Sequence, residues 1–381
     1  MPRPHDPPAG HPRYRERMTS TVSGRVTAFF LYDVAEAVDL DAVGALLGGA
    51  GQSARFAARS PVPAYVRYTQ PPVQVDADVL GGPLIDGWTG RVKVYDYGVV
   101  SLALSRPFEG TWADLIALSQ ELMSGAPIDA KAEETCRAAA AQLRPALREA
   151  RDTFLSEDYF VFGLTSIDGA PAAAQVLASH GEDIARLVRG ETEALSAQER
   201  DDVLRHRLSY FASDLVVPSW NGAFVYDNEA GLTGALEILE FGNSQLLQFR
   251  YYDHRLDLEL QKIYALLQAP KWYEAWIGRR YNAAARELHG VFIDVNELTD
   301  RTENALKLVG DVYAARLLGL AAARLGVDVW KDAVKDKLKT LDDIYRFAVD
   351  QTTMARGEIL EASIVLILVF ELVLFFMGIM K

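Results

Sequence analysis

Residues 91–104 read RVKVYDYGVVSLAL, and this stretch decides the fold class. Arg91–Val94 and Val99–Leu104 are short β-like runs, and Tyr95-Asp96-Tyr97-Gly98 between them places its glycine where a hairpin turn needs it. Two further β-like runs precede them, at Arg25–Tyr32 and Ala64–Thr69. Helical patterns follow at Trp112–Met123 and Ala130–Arg151. A second strand group occupies Tyr159–Leu164, Ser209–Val217 and Ala223–Tyr226, with Pro218-Ser219-Trp220-Asn221-Gly222 as a connecting turn. Between these strands, Glu182–Val188 and Ser196–Leu208 are helical, the latter opening on a Ser196-x-x-Glu199 capping box. Helices interrupting two strand groups predict an α+β domain over residues 25–228, built from what are expected to be two related halves.

After Gly231 the pattern becomes helical throughout. Leu239, Leu246, Phe249, Leu256, Leu260, Ile263 and Leu267 fall on three- and four-residue steps, with gaps at Gly242 and Asp253, until Pro270 ends the helix. A second pattern runs from Val295 to about Leu325, where Gly326 suits the position after a helix and Asp328 suits an N-cap. The last helix is the most regular. Val334, Leu338, Leu341, Tyr345, Ala348, Thr352, Ala355 and Ile359 form a heptad seam. Residues 229–361 are therefore expected to form an antiparallel, coiled-coil-like stalk.

The seam leads into IVLILVFELVLFFMGIMK. Ala362 to Met380 holds thirteen Ile, Val, Leu or Phe residues, worth about −6 kcal/mol on insertion into a bilayer. Glu371 at the midpoint costs about 3 kcal/mol against this. The reading is one C-terminal transmembrane helix, residues 362–380, with the body in the cytoplasm and a bacterial inner membrane favoured. A carboxyl at that depth needs a partner, so association of spans through Glu371, and of chains through the stalk, is expected. Antiparallel register in the stalk further places Trp272, Trp276, Arg279 and Arg280 at the membrane surface.

A formal net charge of −13 argues against direct nucleic-acid binding, which would call for a basic stripe. The single cysteine, Cys136, allows no intrachain disulfide and reads as a buried structural thiol. Residues 1–24, rich in Pro, Arg, Gly and Ser, lack an apolar signal core and read as a disordered lead; either Met1 or Met18 could serve as the start.

Chemistry-bearing motifs are few. Gly49-Ala50-Gly51-Gln52-Ser53-Ala54 spells G-x-G-x-x-A, but it follows the helix-like Leu40–Leu47 rather than a strand, so it reads as a flexible loop. Asp253 and Asp257 share a helix face and suit a hard cation, against the alternative of ion pairing with Arg250 or Lys262. Trp220 and Asn221 sit in a turn with no evident need for a large aromatic, which makes them a candidate contact site, against the alternative of ordinary packing over the hairpin end. No cofactor is expected, and no catalytic constellation stands out.

Tyr95-Asp96-Tyr97-Gly98-Val99-Val100, Asp214–Asp227 with Trp220-Asn221, Gln245–Leu256 with Tyr251-Tyr252-Asp253, Glu297–Arg301, and the Leu360-Glu361…Glu371 tail together resemble the family required for meiotic nuclear division. That resemblance implies an α/β body, a helical stalk and a C-terminal span, and it implies support of translation at a membrane. It carries over no catalytic residue. The function expected is a tail-anchored scaffold or adaptor with a protein partner, the translation machinery among the candidates. The alternative is a membrane-associated enzyme or metal-binding protein.

Overall fold

The computed structural model describes residues 20–48, 51–53, 71–81, 86–125, 127–267, 290–293, 295–296, 299 and 312–376. The expected lead, the run Ala64–Thr69, and Trp272, Trp276, Arg279 and Arg280 lie outside these residues, as do the seam side chains from Tyr345 to Ile359. The chain divides into two compact units, residues 1–251 with 300–329 and residues 252–299 with 330–381.

The first unit is mixed α+β, as the strand and helix groups indicate. Its strands are β1 (Thr21–Asp33), β2 (Ala37–Val38), β3 (Gln52–Ser53), β4 (Val73–Asp76), β5 (Thr89–Val94), β6 (Val99–Thr111), β7 (Leu147–Arg148), β8 (Leu155–Ile167), β9 (Leu215–Pro218) and β10 (Gly222–Tyr226). Eight of them form one sheet in the order β3-β4-β5-β6-β1-β8-β10-β9. Only the β8–β10 contact is parallel. The centre is the long antiparallel ladder of β1 with β6, running from Thr21↔Thr111 to Asp33↔Val99. On β1 the alternation splits two ways. Val26, Ala28, Phe30 and Tyr32 enter the main core, where they meet Leu115, Cys136, Val176 and Ile184 from the helices on that face. Thr27, Phe29, Leu31 and Asp33 face the other way and are also buried.

The helices include α1 (Leu40–Leu46), α2 (Trp112–Met123), α3 (Ile128–Leu143), α4 (Ala173–Arg189), α5 (Ala197–Arg205), α6 (Glu229–Leu267), α7 (Val312–Leu325) and α8 (Val327–Phe376). The long α6 covers the second face of the sheet: Leu232 lies where a side chain on Gly163 would go, and the segment from Ile238 to Phe249 is buried on all sides. The compact unit therefore continues to Tyr251, past residue 228, where the change to helix marks a boundary in the sequence. α7 packs on the same helix. Its Leu318, Ala321 and Leu325 surround Gly242 at 3.5–4.0 Å from the position a Cβ would take, which explains the gap in the apolar spacing there.

Several boundaries differ from the sequence reading for identifiable reasons. The helix expected over Ala130–Arg151 stops at Leu143, because Pro145 enters a 3-10 turn at Arg144–Ala146 and Leu147–Arg148 then form β7. Ser209–Val217 is a strand only from Leu215. Upstream, the Asp214 carboxylate accepts from the backbone amides of Tyr210 (2.6 Å) and Phe211 (3.0 Å) and holds a turn instead. Pro218 belongs to β9, so the connecting turn is Ser219–Asn221. Ser196 does cap α5 through the Glu199 amide, but the Glu199 carboxylate turns to Arg189 at 2.6 Å and leaves the box half made. Gln52 and Ser53 pair with β4 rather than forming a free loop. Gly326 takes the left-handed conformation, φ +71°, and α8 starts at once on Val327, so Asp328 lies inside the first turn rather than capping it.

In the second unit, α8 runs unbroken to Phe376, with Val334, Leu338 and Leu341 of the seam buried. Among the described residues no helix is long and apolar enough to cross a membrane.

Gly98 carries φ +85°, and a Cβ built there would fall on the Ala35 carbonyl oxygen. Gly98→Ala is expected to cost about 2–3 kcal/mol or to prevent folding. Chemical denaturation against wild type measures the loss.

Candidate functional site

Helix α6 brings a row of polar side chains against the inner sheet. Lys93, set between Val92 and Val94 on β5, forms an ion pair with Glu240, and both side chains are over nine-tenths buried. One turn on, the Ser244 hydroxyl donates to the Phe241 carbonyl (2.7 Å) and accepts from Tyr97 (2.7 Å). Gln245 Nε2 donates to the same Tyr97 oxygen at 3.1 Å. Tyr97 stacks on Tyr95 with ring centroids 5.1 Å apart. The hairpin Tyr95–Gly98 and the segment beginning at Gln245 thus meet in space.

A turn further along, Gln248 donates to Asp33 Oδ1 at 3.3 Å, while Arg151 Nε lies 2.7 Å from Asp33 Oδ2. Arg151 also reaches Glu36 at 3.5 Å and lies 3.9 Å above the Tyr251 ring, whose hydroxyl donates to Glu36 at 3.3 Å. Burial pushes the Asp33 carboxyl up to about 7, against the opposing pull of Arg151 and Gln248. Nothing in the apolar periodicity marks this network. Its signal is a charge placed inside a strongly apolar run: Asp33 after Phe29–Tyr32, Lys93 within β5, and Glu240 beside Leu239 and Phe241.

At the other end of the row lies a cavity of about 380 Å³ between α6 and strands β1, β4, β5 and β6, lined by Arg25, Thr27, Arg91, Lys93, Ser105 and Glu237 among others. Thr27 and Ser105 share a hydroxyl hydrogen bond of 2.9 Å on its floor, and Arg25 pairs with Glu229 at 2.7 Å. Both signs of charge face the cavity, so it has no evident preference for anions.

The positions singled out in the sequence fall in separate places. Trp220 stands in solvent, 63 % exposed, on the Ser219–Asn221 turn. Asp253 and Asp257 do share a helix face, but the Lys337 ammonium sits 2.7 Å from each and takes the place a cation would hold. Lys262 and Arg250 turn to Glu259 and Glu157 instead. Cys136 is buried as expected, and burial pushes its thiol up. Glu371 is exposed on α8.

Residues 23–233 match a family model described as the N-terminal domain of uncharacterized protein MJ0711. The chain belongs to that family. The uncharacterized protein MJ0711 of Methanocaldococcus jannaschii is 24 % identical over 191 residues, half of this chain and 58 % of that relative. The chain thus spans less than two thirds of the relative's length. No solved structure matches. The MJ0711 N-terminal domain segment contains the sheet, with Asp33, Lys93, Arg151 and the Trp220 turn. It ends at residue 233, so Glu240, Ser244 and Gln248 come from chain beyond it.

Within this MJ0711 domain, Asp33 makes stability depend on pH in a defined direction. Its folded pKa of about 7 lies above the ordinary 3.8, so the folded state holds a proton that the unfolded chain releases. The contribution is full below about pH 4 and is lost as pH rises to about 7. Asp33→Asn is expected to flatten this fall. Denaturation at pH 4.5, 6 and 7.5 tests it, and equal slopes in both proteins would reject the assignment.

Proposed function

We propose that this chain is a membrane-tethered adaptor, its α+β body joined through α6 and α8 to a single C-terminal span. The observation that supports this is on α8. The nine apolar side chains between Ile364 and Val373 are each at least 46 % exposed, and Glu371 is the one charged group among them. A helix that is apolar on every side requires an apolar surrounding, and these side chains are covered by no other part of the described chain. In the sequence the run continues through Leu374–Ile379, which completes the length a bilayer core demands. The resemblance to the family required for meiotic nuclear division extends the proposal to the translation machinery as the partner, at a cytoplasmic membrane.

Washing membranes that contain the full chain with alkaline carbonate tests the tether. The full chain should stay in the pellet and a variant ending at Glu361 should move to the supernatant. Release of the full chain would overturn the proposal. Within the bilayer, the Glu371 carboxyl is expected to hydrogen-bond between neighbouring spans, at about 1 kcal/mol per contact. Crosslinking in membranes should therefore yield fewer oligomers for Glu371→Leu than for wild type, and identical yields would exclude association through this residue.

A further inference from the structure

The Trp220 turn combines exposure with rigidity. The turn is closed by the Ser219 amide donating to the Gly222 carbonyl at 2.7 Å. From below, the fully buried Tyr159 hydroxyl donates between the carbonyls of Ser219 (3.1 Å) and Gly222 (3.0 Å). From the side, Arg189 donates to the Ser219 hydroxyl at 3.2 Å, and the Phe160 amide binds the Asn221 carbonyl at 3.2 Å. Pro218, Ser219 and Gly222 are buried while Trp220 between them projects outward. The backbone of the turn is fixed on three sides, so the residue carrying the indole is set in solvent before anything binds, and ordering the turn on contact costs little.

Exposed acidic side chains lie on the segments beside the turn. Met123 packs against both Gly222 and Gly190, which brings the end of α2 and the loop after α4 beside the turn. These carry the exposed Glu121, Glu191 and Glu193. Of the arginines at the end of α4, Arg189 is paired with Glu199 at 2.6 Å, while Arg186 donates to the Thr192 carbonyl and keeps its positive charge. A projecting indole with exposed carboxylates on the neighbouring segments disfavours anionic surfaces and suits a guanidinium, which stacks on a ring face and pairs with acids. The chain's formal charge of −13 would steer a basic partner toward it.

We propose that the Trp220 turn is the docking point for an arginine-bearing, basic segment of a protein partner. This rests on the adaptor reading, since it names the chemistry of what the adaptor holds. It is tested on purified full chain in mild detergent, where the outcome does not depend on membrane insertion. The probe is a fluorescent nona-arginine peptide, with a nona-lysine peptide of equal charge beside it, read by anisotropy.

Wild type should bind the arginine peptide more tightly than the lysine peptide. Trp220→Ala should weaken arginine-peptide binding by about tenfold, and Trp220→Phe should do so by less. Glu191→Gln with Glu193→Gln should weaken both peptides. Because Trp220 is exposed, its variants should unfold at the wild-type temperature, which is checked in parallel. Equal affinity of Trp220→Ala and wild type would overturn the proposal. Loss of binding to neutral lipid vesicles in Trp220→Ala, with peptide binding intact, would overturn it in favour of a membrane contact. A gain in peptide affinity on deleting residues 1–19, absent in Trp220→Ala, would put the chain's own arginine-bearing N-terminus on the turn and would also overturn it.

Discussion

From Ile238 to Phe249 helix α6 is buried on every side, yet it carries Glu240, Asn243, Ser244, Gln245 and Gln248. Each polar group must find a partner or cost stability. Asn243 meets the Leu239 carbonyl of its own helix at 2.8 Å; Glu240, Ser244, Gln245 and Gln248 depend on Lys93, Tyr97 and Asp33 of the sheet. Apolar packing alone would tolerate small rotations of a helix over a sheet. These pairings do not. Rotating α6 by one residue would present Leu239 or Phe241 to the Lys93 ammonium, and an unpaired charge at such a site costs about 3–5 kcal/mol. The position of the helix is therefore specified by the polar row, and the burial of Phe29, Leu31 and Tyr159 beneath it follows.

The parts of the fold legible in the sequence are those in which local pattern and tertiary demand agree. α2 occupies Trp112–Met123, as its spacing predicts, and Thr111 caps it. The β5–β6 hairpin turns at Gly98 because its backbone conformation and the nearness of Ala35 both exclude a side chain. Legibility fails where one side chain redirects the backbone, as Pro145 does after α3 and Asp214 does before β9. The polar network was hidden for a related reason. Periodicity measures how apolar residues recur, and Lys93, Glu240 and Asp33 enter it only as interruptions.

The candidate site was legible in part. Trp220 could be singled out because a bulky aromatic in a short turn has no local purpose, and the structure places it in solvent. Asp253 and Asp257 share a face as their spacing requires, but the partner that decides their role, Lys337, lies 80 residues away from Asp257 in the sequence. Spacing within one helix carries no information about a cation delivered by another. The gap that Asp253 leaves in the apolar pattern of α6 is where this contact is made.

The rims of the large sheet bear on self-association. A strand with a free row of amides and carbonyls invites a second copy to add its own. Here one terminal strand, β9, is four residues long, finishes on Pro218, and has its outer side met by Leu208, which exchanges both backbone hydrogen bonds with Val216 (2.9 and 2.8 Å). Among the described residues, the opposite terminal strand, β3, comprises Gln52 and Ser53. Neither, over its described residues, offers a template long enough for sheet extension. The described edges of the sheet thus give a second copy little to pair with.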